Sequence, residues 1–133
     1  MELVEVGRVE SPLRDREAAP KQGDEGAPDA WLVFHDEVAG AARDLQPGDD
    51  LLVLTWLHEA DRDVLRVHPR SDLSRPATGV FATRSPDRPN PIGLHRVTVL
   101  EVDGTRWRVA DLEALDGTPV VDVKPVLGGV GER

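Results

Sequence analysis

The sequence predicts an all-β protein, and three observations support this prediction. Short runs rich in valine and leucine recur along the chain, each bounded by glycine, aspartate or proline. Two Asp-Gly pairs, at 103–104 and 116–117, follow such runs and indicate tight turns between strands. Only residues 36–45 have the apolar spacing of a short helix. Strands spaced this closely favour a compact barrel or a strongly bent sheet.

The expected strands alternate with turns along the whole chain. The first is followed by residues 11–29, which hold three prolines, two glycines and no periodic apolar face. We expect that stretch to be a loop that is mobile or becomes ordered on binding. The 133 residues should form one domain, large enough for a hydrophobic core. The predicted strands are residues 2–9, 30–34, 51–57, 79–83, 94–103, 106–115 and 118–123.

Composition excludes several classes of protein. The chain has no cysteine, so a disulfide framework, a thiolate metal site and a cysteine nucleophile are all excluded. Its four histidines show no close ligand spacing, and we therefore expect no metal site. No apolar run approaches the roughly 20 residues that a membrane-spanning helix needs. Glu2 directly after Met1 is unlike a signal peptide, so we expect a soluble cytoplasmic protein.

Charge is distributed unevenly along the chain. Sixteen basic and 25 acidic residues give a formal net charge of −9, whereas a nucleic-acid-binding protein usually has a basic balance or a basic face. Residues 61–96 hold seven arginines and four aspartates, so this segment carries +3 and the remainder −12. Such a basic patch could bind a phosphate or a small acidic substrate. Alternatively, its arginines pair with neighbouring aspartates at the surface.

The most informative segment is residues 79–93, which read GVFATRSPDRPNPIG. Three prolines and two glycines favour a stiff, irregular loop after Thr83, because proline restricts the backbone and glycine permits close backbone approach. Arg84 and Arg88 lie within this loop. Two guanidinium groups on a stiff loop are well suited to an anion or a carboxylate. The alternative is a proline-rich connection with solvated arginines.

This segment resembles the signature of the TsaA-like (TrmO) family of S-adenosylmethionine-dependent methyltransferases. LDGTPVVDVKP, at residues 115–125, is similar to the second hallmark of that family, in the same order and at a similar distance. A match of this length is far more specific than a lone glycine motif. Weaker similarity covers most of the remaining chain, in VGRVESPL (6–13), in Pro20-Lys21-Gln22 and in LLVLTWLHEADR (51–62).

The resemblance implies a fold, a cofactor and an activity. The expected fold is a single small β-barrel over residues 1–133, with at most one short helix and without the C-terminal extension of many members. The expected cofactor is S-adenosylmethionine, and the expected reaction is N6-methylation of threonylcarbamoyladenosine beside the anticodon of tRNA by a homodimer. Two alternatives stay open: a methyltransferase acting on a small acidic metabolite, and a non-catalytic module that binds S-adenosylmethionine.

The resemblance also implies a set of cofactor contacts. Lys21 stands where an arginine is common, and lysine lacks the planar fork of a bidentate contact. Glu59 stands where a neutral amide often follows the histidine, and residues 110–113 replace a Gly-Ser-Leu-Asp-like run. His58 has the alternative role of a strand-end histidine with a satisfied hydrogen bond. The implied contacts are Pro20, Lys21, Gln22, His58, Glu59, Arg84, Leu94, Ala110, Asp111, Leu112 and Glu113.

The acceptor side of the site is less defined. Arg88 lies beyond the turn at Arg84, so we expect it to bind the methyl acceptor, either the tRNA anticodon loop or a small acidic metabolite. Asp122 and Lys124 share one face of an extended run, where they either form a structural ion pair or face the acceptor as candidate catalytic groups. The chain has no tyrosine, and we see no obvious stacking platform for bases.

Overall fold

A computed structural model describes residues 1–14, 26–68 and 72–128 of the chain. These residues form two 3₁₀ helices, Asp36–Ala42 and Val80–Ala82, and eight strands. The strands are β1 (Gly7–Glu10), β2 (Ala30–Phe34), β3 (Asp50–Trp56), β4 (Arg66–Val67), β5 (Thr78–Gly79), β6 (Ile92–Asp103), β7 (Arg106–Ala110) and β8 (Pro119–Pro125).

Six strands close an antiparallel barrel in the order β1-β2-β7-β6-β3-β8, and β4 pairs with β5 in a separate ribbon. Alternate side chains of each barrel strand point inward, as the pleat requires. In β3, for example, Leu51, Val53 and Thr55 are buried while their neighbours are half-buried or exposed. The largest buried side chain, Trp107, packs against Phe34 with ring centroids 4.3 Å apart. Apolar burial inside the closed wall therefore stabilises the fold.

Strand β6 joins two neighbours with different parts of its length. Residues 92–98 pair with β3, and residues 98–103 pair with β7. Strand β7 ends at Ala110, opposite Thr98. The chain that follows β7 lies beside the first half of β6 without continuing the ladder, and this arrangement creates the candidate site described below.

The all-β fold class is confirmed, and both Asp-Gly turns occur. Gly104 (φ 59°) and Gly117 (φ 81°) adopt the left-handed conformation that glycine tolerates. The strand predicted over 106–115 is five residues too long, because Asp111 has φ 68° and leaves the extended conformation. The first strand starts at Gly7 instead of residue 2, and the short helix is a 3₁₀ helix.

The strand predicted over 79–83 is wrong. Only Gly79 belongs to a strand, and the next three residues form the second 3₁₀ helix, which the sequence did not indicate. Most of the predicted loop 11–29 lies outside the described residues. Among residues 1–14, 26–68 and 72–128, no helix is long and apolar enough to cross a membrane.

Candidate cofactor site and signature loop

The signature loop, residues 79–93, folds around one of its own arginines. The Nε of Arg88 donates a hydrogen bond to the carbonyl oxygen of Ser85 at 2.8 Å. Its Nη2 donates to the carbonyl oxygens of Thr83, at 2.6 Å, and of Val80. Hydrogen bonds from a charged donor are stronger than neutral ones, so Arg88 stiffens the loop. Contact between Arg88 and an acceptor stays a prediction, and the structure gives this side chain a supporting role inside the loop.

The loop docks on the turn that follows β3. The backbone N–H of Leu57 donates to the carbonyl oxygen of Pro91 at 2.8 Å. The Arg62 guanidinium lies 5.0 Å from the ring centroid of Trp56 and donates to the loop backbone at Pro89, at 2.8 Å. Further bonds join the backbone of Arg88 to Asp61 and the backbone of Asp61 to the side chain of Asp87. His58 and Glu59 belong to this turn and are therefore brought next to the signature loop.

Two exposed side chains of the signature loop point away from its support. Phe81 is 87% exposed although it follows the buried Val80. Arg84 is exposed, and within the described residues its side chain has no hydrogen-bond or ion-pair partner. The sequence showed no obvious stacking platform, whereas the structure leaves the aromatic ring of Phe81 exposed on this loop. The sequence hid this ring because residues 79–83 have the composition of a buried strand.

Three arginines of the basic segment bind backbone carbonyl oxygens with their side chains. Arg62, Arg66 and Arg88 donate to carbonyl oxygens, at Pro89, Ala77 and within the signature loop respectively. In the described part of the segment only Arg96 pairs with an aspartate, Asp50, at 3.7 Å. Pairing with neighbouring aspartates therefore does not account for this cluster of arginines.

Residues 110–113 form a tight bend after β7. Asp111 is exposed and has φ 68°, a left-handed conformation that is uncommon for residues other than glycine but tolerated by aspartate. Leu112 (0% exposed) and Ala114 (3%) both enter the core. Glu113 lies between these two anchors, so its carboxylate is held at the rim of the barrel with its side chain 17% exposed. Unusual backbone conformations of this kind cluster at functional sites.

A buried hydrogen-bonded chain links this bend to the barrel wall. Nδ1 of His95 lies 2.5 Å from Oε1 of Glu113, and Nε2 of His95 lies 2.6 Å from Oγ1 of Thr55. The exposed fractions are 4% for His95 and 0% for Thr55. A Cβ on Gly93 would collide with Thr55 Oγ1 and lie 2.7 Å from Nε2 of His95. The glycine near the end of the signature therefore leaves room for the histidine.

The connectivity of Thr55, His95 and Glu113 is that of a hydroxyl nucleophile, a histidine base and an orienting acid. The hydroxyl of Thr55, however, belongs to a fully buried side chain that points into the barrel. No electrophilic substrate could approach it without unfolding β3. The hydroxyl of Thr55 is therefore not placed to attack a substrate.

Leu94, Asp122 and Lys124 lie on the outer wall of the barrel. Leu54 of β3 is paired with Leu94 of β6 on one side and with Asp122 of β8 on the other. Leu94 and Asp122 are therefore about 10 Å apart across one strand. Lys124 Nζ is 3.3 Å from Asp122 Oδ2, and both side chains are more than half exposed. The ion-pair alternative for these two residues is thus present, and their catalytic role stays a prediction.

A cavity of about 420 Å³ lies on the same outer wall, and the predicted cofactor contacts do not line it. Glu5 lies at its edge and binds His35, at 2.7 Å, and Arg8, at 3.0 Å. Partial burial raises the pKa of Glu5, but these two hydrogen bonds outweigh that effect and lower it. The lining residues are Met1, Leu3, Val4, Glu5, Trp56, Arg62, Asn90, Ile92, Pro119 and Val121.

Within the described residues, the predicted cofactor contacts lie in four parts of the chain. Arg84 is on the signature loop, His58 and Glu59 are on the turn beneath it, and Leu94 is on the outer wall. Residues 110–113 lie across the rim and reach β6 through the Glu113–His95 hydrogen bond.

Sequence reasoning missed His95. The alternation of side chains in β6 could have shown that His95 points inward, as Gly93 and Val97 do. In the part of the chain that the structure describes, no group of three or more His, Asp or Glu could hold a metal ion. Pro20, Lys21 and Gln22 lie outside the described residues.

Comparison with known proteins identifies relatives of this chain. Residues 8–130 match the family model of the tRNA-methyltransferase O N-terminal domain. A protein of Archaeoglobus fulgidus named as a probable S-adenosyl-L-methionine-binding protein is 46% identical over 125 residues, which are 94% of this chain and 34% of that protein. A protein of the same description from Methanothermobacter thermautotrophicus is 46% identical over 90% of this chain and 85% of its own length.

Solved structures show the same fold. The crystal structure of TrmO from Pseudomonas aeruginosa matches with a TM-score of 0.76 at 26% identity, over all of this chain and 60% of that one. A second TrmO crystal structure matches with a TM-score of 0.78, also at 26% identity, and this chain covers 62% of it. This chain thus spans about three fifths of the length of these structures. It belongs to the family of the tRNA-methyltransferase O N-terminal domain.

Proposed function

We propose that the chain is an S-adenosylmethionine-dependent methyltransferase. Its cofactor site lies at the rim of the barrel, where the signature loop, the turn after β3 and residues 110–113 come together. Two charged groups carry the proposal: Arg84, which has no partner among the described residues and stands on the loop that Arg88 stiffens, and the Glu113 carboxylate, which His95 holds. The relatives named as S-adenosyl-L-methionine-binding proteins support the choice of cofactor.

The charges of these residues fit this cofactor. S-adenosylmethionine carries a carboxylate, an ammonium, a ribose diol, an adenine and a sulfonium. Arg84 would hold the carboxylate, and the second oxygen of Glu113 together with exposed Asp111 would accept hydrogen bonds from the ammonium or the diol. Leu112 is fully buried, so its contribution is restricted to its backbone. We propose that His58, Glu59, Leu94 and Ala110 complete the site and that Pro20, Lys21 and Gln22 are further cofactor contacts.

Chemistry in such a site depends on orientation. When bound, the cofactor supplies an electrophilic methyl group with a neutral thioether as leaving group. The protein therefore contributes positioning and a suitable electrostatic environment. A loop stiffened by Arg88 and a carboxylate fixed by His95 both reduce the reorganisation that binding requires.

For the acceptor we propose threonylcarbamoyladenosine beside the anticodon of tRNA, methylated at N6. Phe81 supports a nucleic acid, because its exposed ring offers a face on which a base stacks. The positive segment 61–96 offers charge for phosphates. A small acidic metabolite is the second candidate, favoured by the net charge of −9. A non-catalytic cofactor-binding module is the third, favoured by relatives named for binding alone.

We also propose that two copies associate through the outer wall and that the protein acts in the cytoplasm, where tRNA is modified. Ile92 is 40% exposed on this wall. Leu54, Trp56 and Val121 extend the same apolar surface. Light scattering on the wild type and on Ile92→Glu tests the association. A monomeric wild type would contradict it.

The activity is tested in two steps. Calorimetric titration with S-adenosylmethionine and then S-adenosylhomocysteine should show micromolar binding, and the absence of both would contradict the proposal. Transfer of a tritiated methyl group is then measured with tRNA that carries unmethylated threonylcarbamoyladenosine and, separately, with a metabolite extract. Label on tRNA with strongly salt-dependent affinity supports the first acceptor. Label only on metabolites supports the second, and binding without transfer supports the third.

Phe81 provides a sharper test of the nucleic-acid acceptor. Phe81→Ala should weaken tRNA binding by about 1–3 kcal/mol, the usual contribution of one stacked base. Affinity for S-adenosylmethionine should stay unchanged, and Phe81→Trp should restore tRNA binding. Leu73→Ala, which also removes an exposed apolar side chain, is the control. Loss of cofactor affinity in Phe81→Ala would instead assign the ring to the adenine of the cofactor.

A further inference from the structure

We propose that His95 is a positioning residue of the cofactor site, which holds the Glu113 carboxylate and the bend at 110–113 in the conformation that receives S-adenosylmethionine. This inference rests on the proposed function, because it assumes that Glu113 meets the cofactor. His95 itself is 4% exposed and faces the barrel interior, so it acts through Glu113.

The hydrogen bond between His95 and Glu113 connects residues 110–113 to strand β6. Within the described residues, Nδ1 of His95 is the hydrogen-bond partner of the Glu113 side chain, at 2.5 Å. Leu112 and Ala114 anchor the backbone on both sides by burial, but burial does not fix the direction of a carboxylate. The directional hydrogen bond does so, because it holds one oxygen against the wall and leaves the other for a ligand.

The contact with Glu113 indicates which nitrogen of His95 carries a proton. Glu113 accepts a hydrogen bond from Nδ1, so Nδ1 carries a proton. Thr55 Oγ1, 2.6 Å from Nε2, can then donate to that nitrogen. A carboxylate held in this way suits a cationic ammonium, much as outer partners orient the ligands of a metal ion.

The hydrogen bonds that join Thr55, His95 and Glu113 also explain why the signature loop and residues 110–113 belong to one site. Gly93 is part of the signature, and a side chain there would displace both Thr55 Oγ1 and His95. Its Cβ position also lies 3.0 Å from Leu57, which precedes His58. The signature therefore supports the cofactor site from two directions: Arg88 stiffens the loop from within, and Gly93 makes room for the histidine that fixes Glu113.

Two substitutions at position 95 separate the bonds that the imidazole makes. His95→Asn places an amide nitrogen near the position of Nδ1 and keeps a donor for Glu113, while it loses the contact with Thr55. His95→Gln reaches towards Thr55 and loses the donor for Glu113. We expect His95→Gln to weaken S-adenosylmethionine binding by about 10- to 100-fold and His95→Asn to retain most of the affinity. Equal affinity of His95→Gln and wild type would overturn the inference.

A spectroscopic measurement on the wild type keeps the inference testable if these variants do not fold. In protein labelled with nitrogen-15 at histidine, the Nδ1 proton of His95 should be resolved and protected from exchange, because His95 is 4% exposed and Thr55 is fully buried. Its chemical shift should move when S-adenosylmethionine is added. A resolved signal that does not move at saturating cofactor would overturn the inference. A wild type that binds neither S-adenosylmethionine nor S-adenosylhomocysteine would overturn the proposed function itself, which is a different result.

Discussion

The barrel wall and the signature loop are stabilised in different ways. The wall combines continuous backbone ladders with apolar side chains that are almost fully buried, such as Leu51, Val53 and Val97. The signature loop contributes little apolar burial and depends on one arginine that binds three of its carbonyl oxygens. Many small contributions support the wall, whereas in the loop one side chain, Arg88, makes three of the stabilising hydrogen bonds. Substitutions in the wall should therefore lower the stability of the whole protein, whereas substitutions in the loop should have local effects.

The largest effect on global stability should come from the wall. Leu51 is 1% exposed, and Leu51→Ala leaves a cavity that the closed barrel cannot easily fill. We expect the free energy of unfolding to fall by about 2–5 kcal/mol in chemical denaturation. Leu73→Ala, at a leucine that is 80% exposed, is the matched control and should change it by less than about 0.5 kcal/mol. Similar losses in both variants would mean that the wall is not the stabilising region.

A smaller and local effect should follow from Arg88→Ala. Loss of the three bonds to carbonyl oxygens should weaken the loop by on the order of 2–3 kcal/mol while global unfolding changes less than in Leu51→Ala. Hydrogen exchange of the Thr83, Ser85 and Asp87 amides, which are bonded within the loop, measures this. Arg88→Lys should restore little, because lysine lacks the planar fork. An unfolding midpoint that falls as far as in Leu51→Ala would show that loop and wall unfold together.

Substitution of Arg84 should weaken cofactor binding without lowering the stability of the protein. We expect Arg84→Ala to lower affinity for S-adenosylmethionine by one to two orders of magnitude, corresponding to about 1.5–3 kcal/mol for a lost charge-assisted contact. Its unfolding midpoint should not change, since Arg84 has no described partner within the fold. Arg96→Ala removes an arginine of the outer wall and is the control for charge. Unchanged binding by folded Arg84→Ala would remove this residue from the site.

The smallest effect should come from Asp122→Asn. An exposed ion pair such as Asp122–Lys124 contributes about 0–1 kcal/mol, so stability should barely change. Its position on the outer wall also leads us to expect an unchanged rate of methyl transfer. A rate lowered by about 100-fold or more would instead identify Asp122 as a catalytic acid or base.

Sequence reasoning succeeded where one local rule dominated. Alternation located β2 and β3, and Asp-Gly pairs located the two turns, because pleat and turn geometry depend on neighbouring residues. The signature could be recognised, and proline and glycine indicated that it is irregular. The interpretation failed at 79–83, where apolar composition indicated a strand. Contacts that Arg88 makes back along the chain hold Val80–Ala82 in a 3₁₀ helix instead.

In the candidate site, too, the sequence identified some residues and did not reveal the contacts between them. Arg84 could be identified from the signature, and Glu113 from its position before the second hallmark. The link from Glu113 to His95 could not, because it joins residues on two elements whose register is decided only when the barrel closes. The internal role of Arg88 was equally hidden, because a sequence does not reveal whether an arginine binds a ligand or its own backbone.

The sequence by itself therefore determined the class of fold, the family and the chemical groups available to the site. Periodicity and turn residues act over a few positions, so they can be read along the chain. Only the tertiary structure decided which groups are free and which are committed: Arg84 exposed, Arg88 bound to carbonyl oxygens, and His95 buried between Thr55 and Glu113. The physical reason is that hydrogen-bond partners and burial depend on packing between distant segments, which no local pattern encodes.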